Sequence, residues 1–206
     1  MTRECGDMDV SAGREGVPGA YAFLARYVVM PWDSVIDVGG GLGRGIAILQ
    51  RRTRRVRAID RDPRLSAFGV EVGDIRTEPS SAFDWVVAVD VIEHVEDDRD
   101  FLGNIWRVAR KGIFVTTPNL AHHPAAIWPY HLREYRRDEF ASLFAQVIPG
   151  AATLHFGGEI YGGQMRLSHT GSQWEHQGVL AVRRHASVWR CWFGLRENVL
   201  RIVRPE

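Results

Sequence analysis

The chain is poor in the features that mark a protein for export or for a membrane. Only two of its 206 residues are cysteine, Cys5 and Cys191. They stand near opposite ends, so no disulfide framework is legible and a reduced setting is expected. The N-terminal "MTRECGDMDV" holds no apolar stretch of the signal-peptide kind. The longest apolar runs, such as "WVVAV" and "VLAV", fall far below the roughly 20 residues that cross a bilayer. A cytoplasmic protein is expected. An excess of one charge is also missing: 26 Lys and Arg face 25 Asp and Glu. No global field therefore favours nucleic acid or an anionic membrane, and any anionic partner must be met locally. No internal repeat or low-complexity tract is present.

What is present reads as one domain spanning 1–206, because this length supports a single full-sized core. Residues 1–18 are polar and without period, a mobile arm. "AYAFLARYVVM" then places apolar residues at helical spacing until Pro31 ends it. A core over 20–150 alternates short β-rich runs with helical segments, the pattern of parallel strands joined by crossover helices. Strands are expected at 34–38, 56–60, 70–74, 84–90 and 112–118. "DDRDFLGNIWRVAR" reads as a helix with acids at its start and arginines at its end, as the helix dipole prefers. "RRDEFASLFAQV" repeats that logic. Strands at "TLHFGG" and 178–184 flank a polar insertion, 159–177, and a C-terminal helix is expected over 187–204. The fold class is α/β: a Rossmann-like, doubly wound, mostly parallel seven-stranded sheet with an antiparallel last strand and helices on both faces.

The run "VIDVGGGLGRG" follows the first strand. Glycine serves there where φ is positive and where backbone must approach a ligand closely. The dinucleotide fingerprint G-x-G-x-x-G fails on it, since a start at Gly39 puts Arg44 at the third glycine and a start at Gly41 puts Ile46 there. Asp37, Gly39, Gly41 and Gly43 instead form D-x-G-x-G-x-G. Asp60 closes the second strand about 20 residues on, where a carboxylate can accept both ribose hydroxyl protons. Asp74 closes the third, and the fourth runs into "DVIEHV".

These blocks resemble the class I S-adenosylmethionine-dependent methyltransferases. The turn looks like their motif I, and Asp90, Ile92, Glu93, His94 and Val95 look like their D-x-I-E-H-V signature. "TTPN" and "PYHLREYRRDEF" resemble the branch that includes ubiquinone-pathway O-methyltransferases. That branch opens its helix with Thr or Ser before Pro-Glu-Glu. Arg136 and Arg137 stand there instead, a weaker cap whose charge could meet an anionic substrate. The resemblance covers about 20–150 and the strand at 178–184. It implies S-adenosylmethionine as cofactor, held by Asp37, Gly39, Gly40, Gly41, Gly43 and Asp60 with the neighbouring Arg61. Asp74, Ile75, Asp90 and Val91 complete the implied set, Asp74 facing the adenine amino group.

Methyl transfer to a hydroxyl calls for a base, and His131 is the first candidate, with His94 beside it. Glu134 and Tyr135 read more readily as locks of their loop. His122 and His123 are adjacent and would point apart in an extended loop, a poor metal pair, so no metal site is expected. The family builds its acceptor pocket from segments that here carry Tyr21, Trp128, Tyr130, Arg133, Tyr135 and Tyr161. An aromatic and polar pocket suits a small metabolite, sugar or natural product, methylated on oxygen or nitrogen, better than nucleic acid. The apolar face of the C-terminal helix is read as a cover for a sheet edge or a homodimer contact rather than a membrane anchor. The competing functions are an NAD(P)-dependent oxidoreductase, which wants glycine at Arg44, and a non-catalytic, cofactor-binding regulatory module.

Overall fold

The computed structural model describes residues 18–121, 130–161, 164–168 and 176–183, with the backbone alone at 18 and over 156–161 and 164–168. Residues 1–17 of the expected N-terminal arm, His122, His123 and Trp128, and the expected C-terminal helix (187–204) lie outside the described residues.

Eight strands form one sheet: β1 (Ser34–Val38), β2 (Arg55–Asp60), β3 (Glu71–Val72), β4 (Phe83–Val89), β5 (Ala109–Pro118), β6 (Ala152–Tyr161), β7 (Gln164–Ser168) and β8 (His176–Val182). Their spatial order is β3-β2-β1-β4-β5-β8-β6-β7. The first five run parallel, and β8 pairs antiparallel with both β5 and β6. Strands β1 and β4 are buried almost throughout, as expected of parallel strands covered on both faces. One face carries α1 (Pro18–Phe23), a π turn at Leu24–Val28 and α2 (Arg44–Leu49), packed through Tyr21, Phe23, Leu24, Leu49, Trp85 and Phe114. The other carries α3 (Asp98–Val108) and α4 (Arg137–Val147), packed through Ile36, Val86, Ile105, Phe140 and Phe144.

Local chemistry explains the helix limits. The Asp97 side chain accepts from the Asp100 N–H at 2.8 Å, capping α3, and Arg107 closes it by donating to the Glu78 carbonyl at 2.7 Å. The start of α4 is better held than its arginines imply, because the Arg136 N–H donates to Glu139 Oε2 at 2.8 Å, half of a capping box.

Three sequence expectations are corrected. To the expected seven strands the sheet adds an eighth at its edge, because the 159–177 insertion is not a plain loop. It completes β6, contains β7 and starts β8, with Tyr161 opposite Gln164. The intervening Gly162-Gly163 is a tight-hairpin signal that the polarity of the segment obscured. The last strand begins at His176 rather than 178. The expected third strand, 70–74, shrinks to Glu71–Val72 because it is a sheet edge, paired on one side only.

Candidate active site

From β1 the chain winds outward through β2 and β3, and then returns to lay β4 and β5 on the other side of β1. The C-terminal ends of β1 and β4 therefore bound the crevice where the winding reverses, the usual ligand position of an open α/β sheet. Both halves of the site converge there.

The first half is the glycine turn. Gly39 and Gly41 take φ of +71° and +51°. A β-carbon on Gly39 would stand 2.6 Å from Val91 Cγ2, so the turn is pressed against the end of β4. Over Gly41, by contrast, a β-carbon would meet nothing within 4 Å. The turn thus offers open space above bare backbone, a cradle that a side chain would fill. Asp60 braces it, accepting from the Gly41 N–H at 3.3 Å through Oδ2 and from the Asp62 N–H at 3.0 Å through Oδ1. Gly40 lies over Ala58, where a β-carbon would come within 2.8 Å, and Gly43 is the left-handed residue before α2.

Asp37 lies beneath the turn, fully buried, and both its oxygens accept from the Tyr21 hydroxyl at 3.0 Å. Burial pushes its carboxyl up to about 7 against the pull of that hydrogen bond. Tyr21 is itself pushed well above its usual range, by burial and then by Asp37. Asp74 stands at the end of β3 paired with Arg61 at 2.8 Å and Arg76 at 2.6 Å. Its hydrogen bonds to Arg76 lead in holding the carboxyl down at about 2. Ile75 is buried behind it.

The second half grows from β4. Asp90 takes a left-handed φ of +54°. Its N–H donates to the Thr116 carbonyl and to Thr116 Oγ1, its Oδ1 accepts from Thr116 Oγ1 at 2.8 Å, and its Oδ2 lies 3.2 Å from His176 Nε2. Burial alone would raise its carboxyl, but His176 and Thr116 bring it below the usual range. The Glu93 side chain is fully buried, with Oε2 accepting from Thr117 Oγ1 at 3.0 Å and Oε1 without a hydrogen-bond partner among the described residues. Burial, and then the charge of Asp90, push its carboxyl well up.

The Glu93 carbonyl accepts from the Leu132 N–H at 2.9 Å, which draws the 130–135 loop over this strand end. His94 Nδ1 meets the Tyr130 carbonyl at 3.0 Å, His131 Nδ1 meets Glu134 Oε1 at 2.8 Å, and the two rings stand edge to face with centroids 4.8 Å apart. Burial lowers the pKa of His94. One ligand-capable atom from each of Glu93, His94 and His131 lies within 4.8 Å of the other two. Where adjacent histidines argued against a metal, the fold assembles these three from separate segments.

The remaining residues expected on the acceptor side are placed unevenly. Tyr130 is 49% exposed. Tyr135 is buried and donates to Asp98 Oδ2 at 2.9 Å, and Arg133 reaches the same oxygen at 2.8 Å, so both commit their polar ends to Asp98. Tyr21 does likewise on Asp37, while the side chain of Tyr161 lies outside the described residues. Thr116, Thr117, His176 and Gln177 are site neighbours that sequence reasoning missed. Their signal lies in strand register, since β8 sets His176 opposite Pro118 and Gln177 opposite Thr117.

Comparison with known proteins agrees with this geometry. Residues 36–116, from β1 through the D-x-I-E-H-V block into β5, match the family model of a methyltransferase domain. A Mycobacterium tuberculosis protein described as a probable S-adenosylmethionine-dependent methyltransferase is 29% identical over 168 residues, 72% of this chain and 60% of that protein. The chain thus spans about 60% of the length of the first curated relatives it matches. The fold is similar to magnesium protoporphyrin IX methyltransferase from Synechocystis with bound S-adenosylhomocysteine (TM-score 0.59, 14% identity, 80% of each chain). It is also similar to a methyltransferase complexed with the Haloferax volcanii Trm112 activator (TM-score 0.67, 15% identity, 83% of this chain and 90% of the other). Family model and relatives agree on S-adenosylmethionine as the cofactor, and the chain is similar over residues 36–116 to the methyltransferase domains that use it.

Proposed function

We propose that this chain transfers the methyl group of S-adenosylmethionine to an oxygen or nitrogen atom of a small-molecule acceptor. The observation that carries the reading is the contact of Gly39 with Val91, which sets the open glycine cradle beside the strand end bearing Glu93, His94 and the 130–135 loop. Asp60 and the Gly39–Gly43 backbone would hold the ribose and methionine parts of the cofactor, with Asp74, Arg61 and Ile75 at the adenine end. When bound, the cofactor supplies an electrophilic methyl on a sulfonium. The chain's own contribution is to orient the acceptor in line with it, worth about 7–11 kcal/mol of barrier, and to handle the acceptor's proton near His94 and His131.

On this reading Tyr130, with Trp128 and Tyr161, forms the acceptor side. The balanced charge of the chain supports a small molecule over nucleic acid, and the "PYHLREYRRDEF" loop supports kinship with the ubiquinone-pathway branch. Among the described residues no helix is long and apolar enough to cross a membrane. We place the activity in the cytoplasm, with the C-terminal helix closing a sheet edge or a homodimer.

Calorimetric titration with S-adenosylhomocysteine and with NADH tests the reading. Tight binding of the first and none of the second is expected, and the reverse would make the chain an oxidoreductase. A crystal soaked with S-adenosylhomocysteine then locates the position of the departed methyl and the side chains around it.

A further inference from the structure

We propose that the base of the sheet, at the end opposite the crevice, docks single-stranded nucleic acid, with Trp32 as a stacking platform and Arg26, Arg51 and Arg54 against the phosphates. This goes beyond the methyl-transfer reading and does not rest on it, because it concerns the far end of the molecule.

The balanced charge of the chain hides a local concentration. Residues 26–33 and 51–55 hold five arginines and one acid, Asp33. Asp33 is buried, and its carboxylate is taken up by Lys111, by Trp85 Nε1 at 2.8 Å and by the Met30 N–H at 3.0 Å. Arg26, Arg51, Arg54 and Arg55 are exposed. Among the described residues no carboxylate pairs with any of these four.

The two segments form one surface. Strands β1 and β2 begin side by side, with Ser34 opposite Arg55. Arg52 Nε donates to the Val29 carbonyl at 2.7 Å, Arg55 Nη1 to the Trp32 carbonyl at 3.2 Å, and Thr53 Oγ1 to the Asp33 carbonyl at 2.6 Å. These bonds stitch the 29–33 loop to the arginine run and brace the backbone under Trp32, which is 67% exposed. A ligand that meets the indole has little backbone left to order.

An aromatic ring flanked by cations is the composition of sites that hold single strands without regard to sequence, since every unpaired base has a π-face and every nucleotide a phosphate. A bilayer fits this surface less well. Interfacial anchoring scales with the apolar area inserted, and in this loop only Pro31 and Trp32 project, because Val28 and Val29 are buried in the core. The crevice lies at the C-terminal ends of β1 and β4, so a strand docked at the base leaves the cofactor and acceptor positions uncovered.

The test is fluorescence anisotropy of a labelled oligouridine of about 12 nucleotides, titrated with the untagged full chain. Saturable binding below about 100 µM is expected at low salt. At about 0.7 per phosphate contact, three arginines give a slope of about −2 for log K against log salt, and R51A/R54A should bring it to about −0.7. W32A should weaken binding by about 5- to 150-fold at an unchanged slope, and W32F should restore most of it. All of these variants should bind S-adenosylhomocysteine as the wild type does; loss of that binding by the wild type would fail the function reading alone. Absence of saturable oligouridine binding by the wild type overturns the proposal, as does unweakened binding by W32A. So does binding to phosphatidylglycerol vesicles or to polyglutamate at an affinity equal to or above that for the oligouridine. Should W32A fail to fold, R51E/R54E decides, since those exposed side chains brace nothing among the described residues. Loss of oligouridine binding at a wild-type melting temperature is then expected, and retained binding overturns the assignment.

Discussion

Gly39 lies against Val91, with room between them for hydrogen but not for a methyl group. The glycine is required twice over, by its φ of +71° and by that approach. Gly39→Ala should lower stability by about 1–3 kcal/mol and abolish S-adenosylhomocysteine binding, read by thermal melts and calorimetry. Adding Val91→Ala should recover part of the stability, since crowding is relieved while the backbone strain stays. Full recovery would mean that φ costs nothing there.

Asp60 holds the Gly41 N–H, and on the proposed reading it also faces the ribose. Asp60→Ala should therefore weaken S-adenosylhomocysteine binding by at least about 10-fold, with a melting temperature close to that of the wild type, because the residue is not in the core. Unchanged binding would place the ribose elsewhere.

Asp37 makes stability depend on pH. Its folded pKa, about 7, lies above the model-peptide value near 3.9. The folded state therefore keeps a proton that the unfolded chain releases, and the stabilising contribution is complete below pH ~4 and lost as pH rises through 7. At 1.36 kcal/mol per unit, the difference in unfolding free energy between wild type and Asp37→Asn should change by about 4 kcal/mol over that interval. Urea titrations at pH 4, 5.5 and 7.5 measure it. A flat difference would mean that Asp37 is ionised in the folded protein at all three values.

Tyr135 and Arg133 share Asp98 Oδ2. If both are internal braces, Tyr135→Phe should cost about 1 kcal/mol of stability and leave the KM for the acceptor unchanged. A raised KM with an unchanged melting temperature would return Tyr135 to the acceptor pocket.

The parallel half of this molecule could be read from its sequence because β1, β2 and β4 are short runs rich in apolar residues that end at an acid or a glycine turn. Strand β1 falls on the expected residues, and α3 is marked by its aspartates and its apolar stripe. The glycine spacing and the D-x-I-E-H-V block are local, so they survive as text. The site cluster does not, since Glu93 and His131 are 38 positions apart and meet only because a loop folds back onto β4. The β6–β7 hairpin was hidden for another reason. An edge hairpin needs little apolar alternation, and its clearest mark was a glycine pair inside a polar stretch. His176 belonged to that same stretch, so its pairing with Asp90 was invisible until the register of β8 was known.

The left-handed backbone of Asp90 gives the site a mechanical character. Its carboxylate ties together the ends of three strands, with Thr116 on β5 and His176 on β8, so the floor of the crevice behaves as one riveted plate. Aspartate is among the few side chains that tolerate this conformation, and glycine would relax it at the expense of both ties. The sheet therefore gives up some local stability at the floor of the crevice, where these two ties hold the ends of β4, β5 and β8 in register.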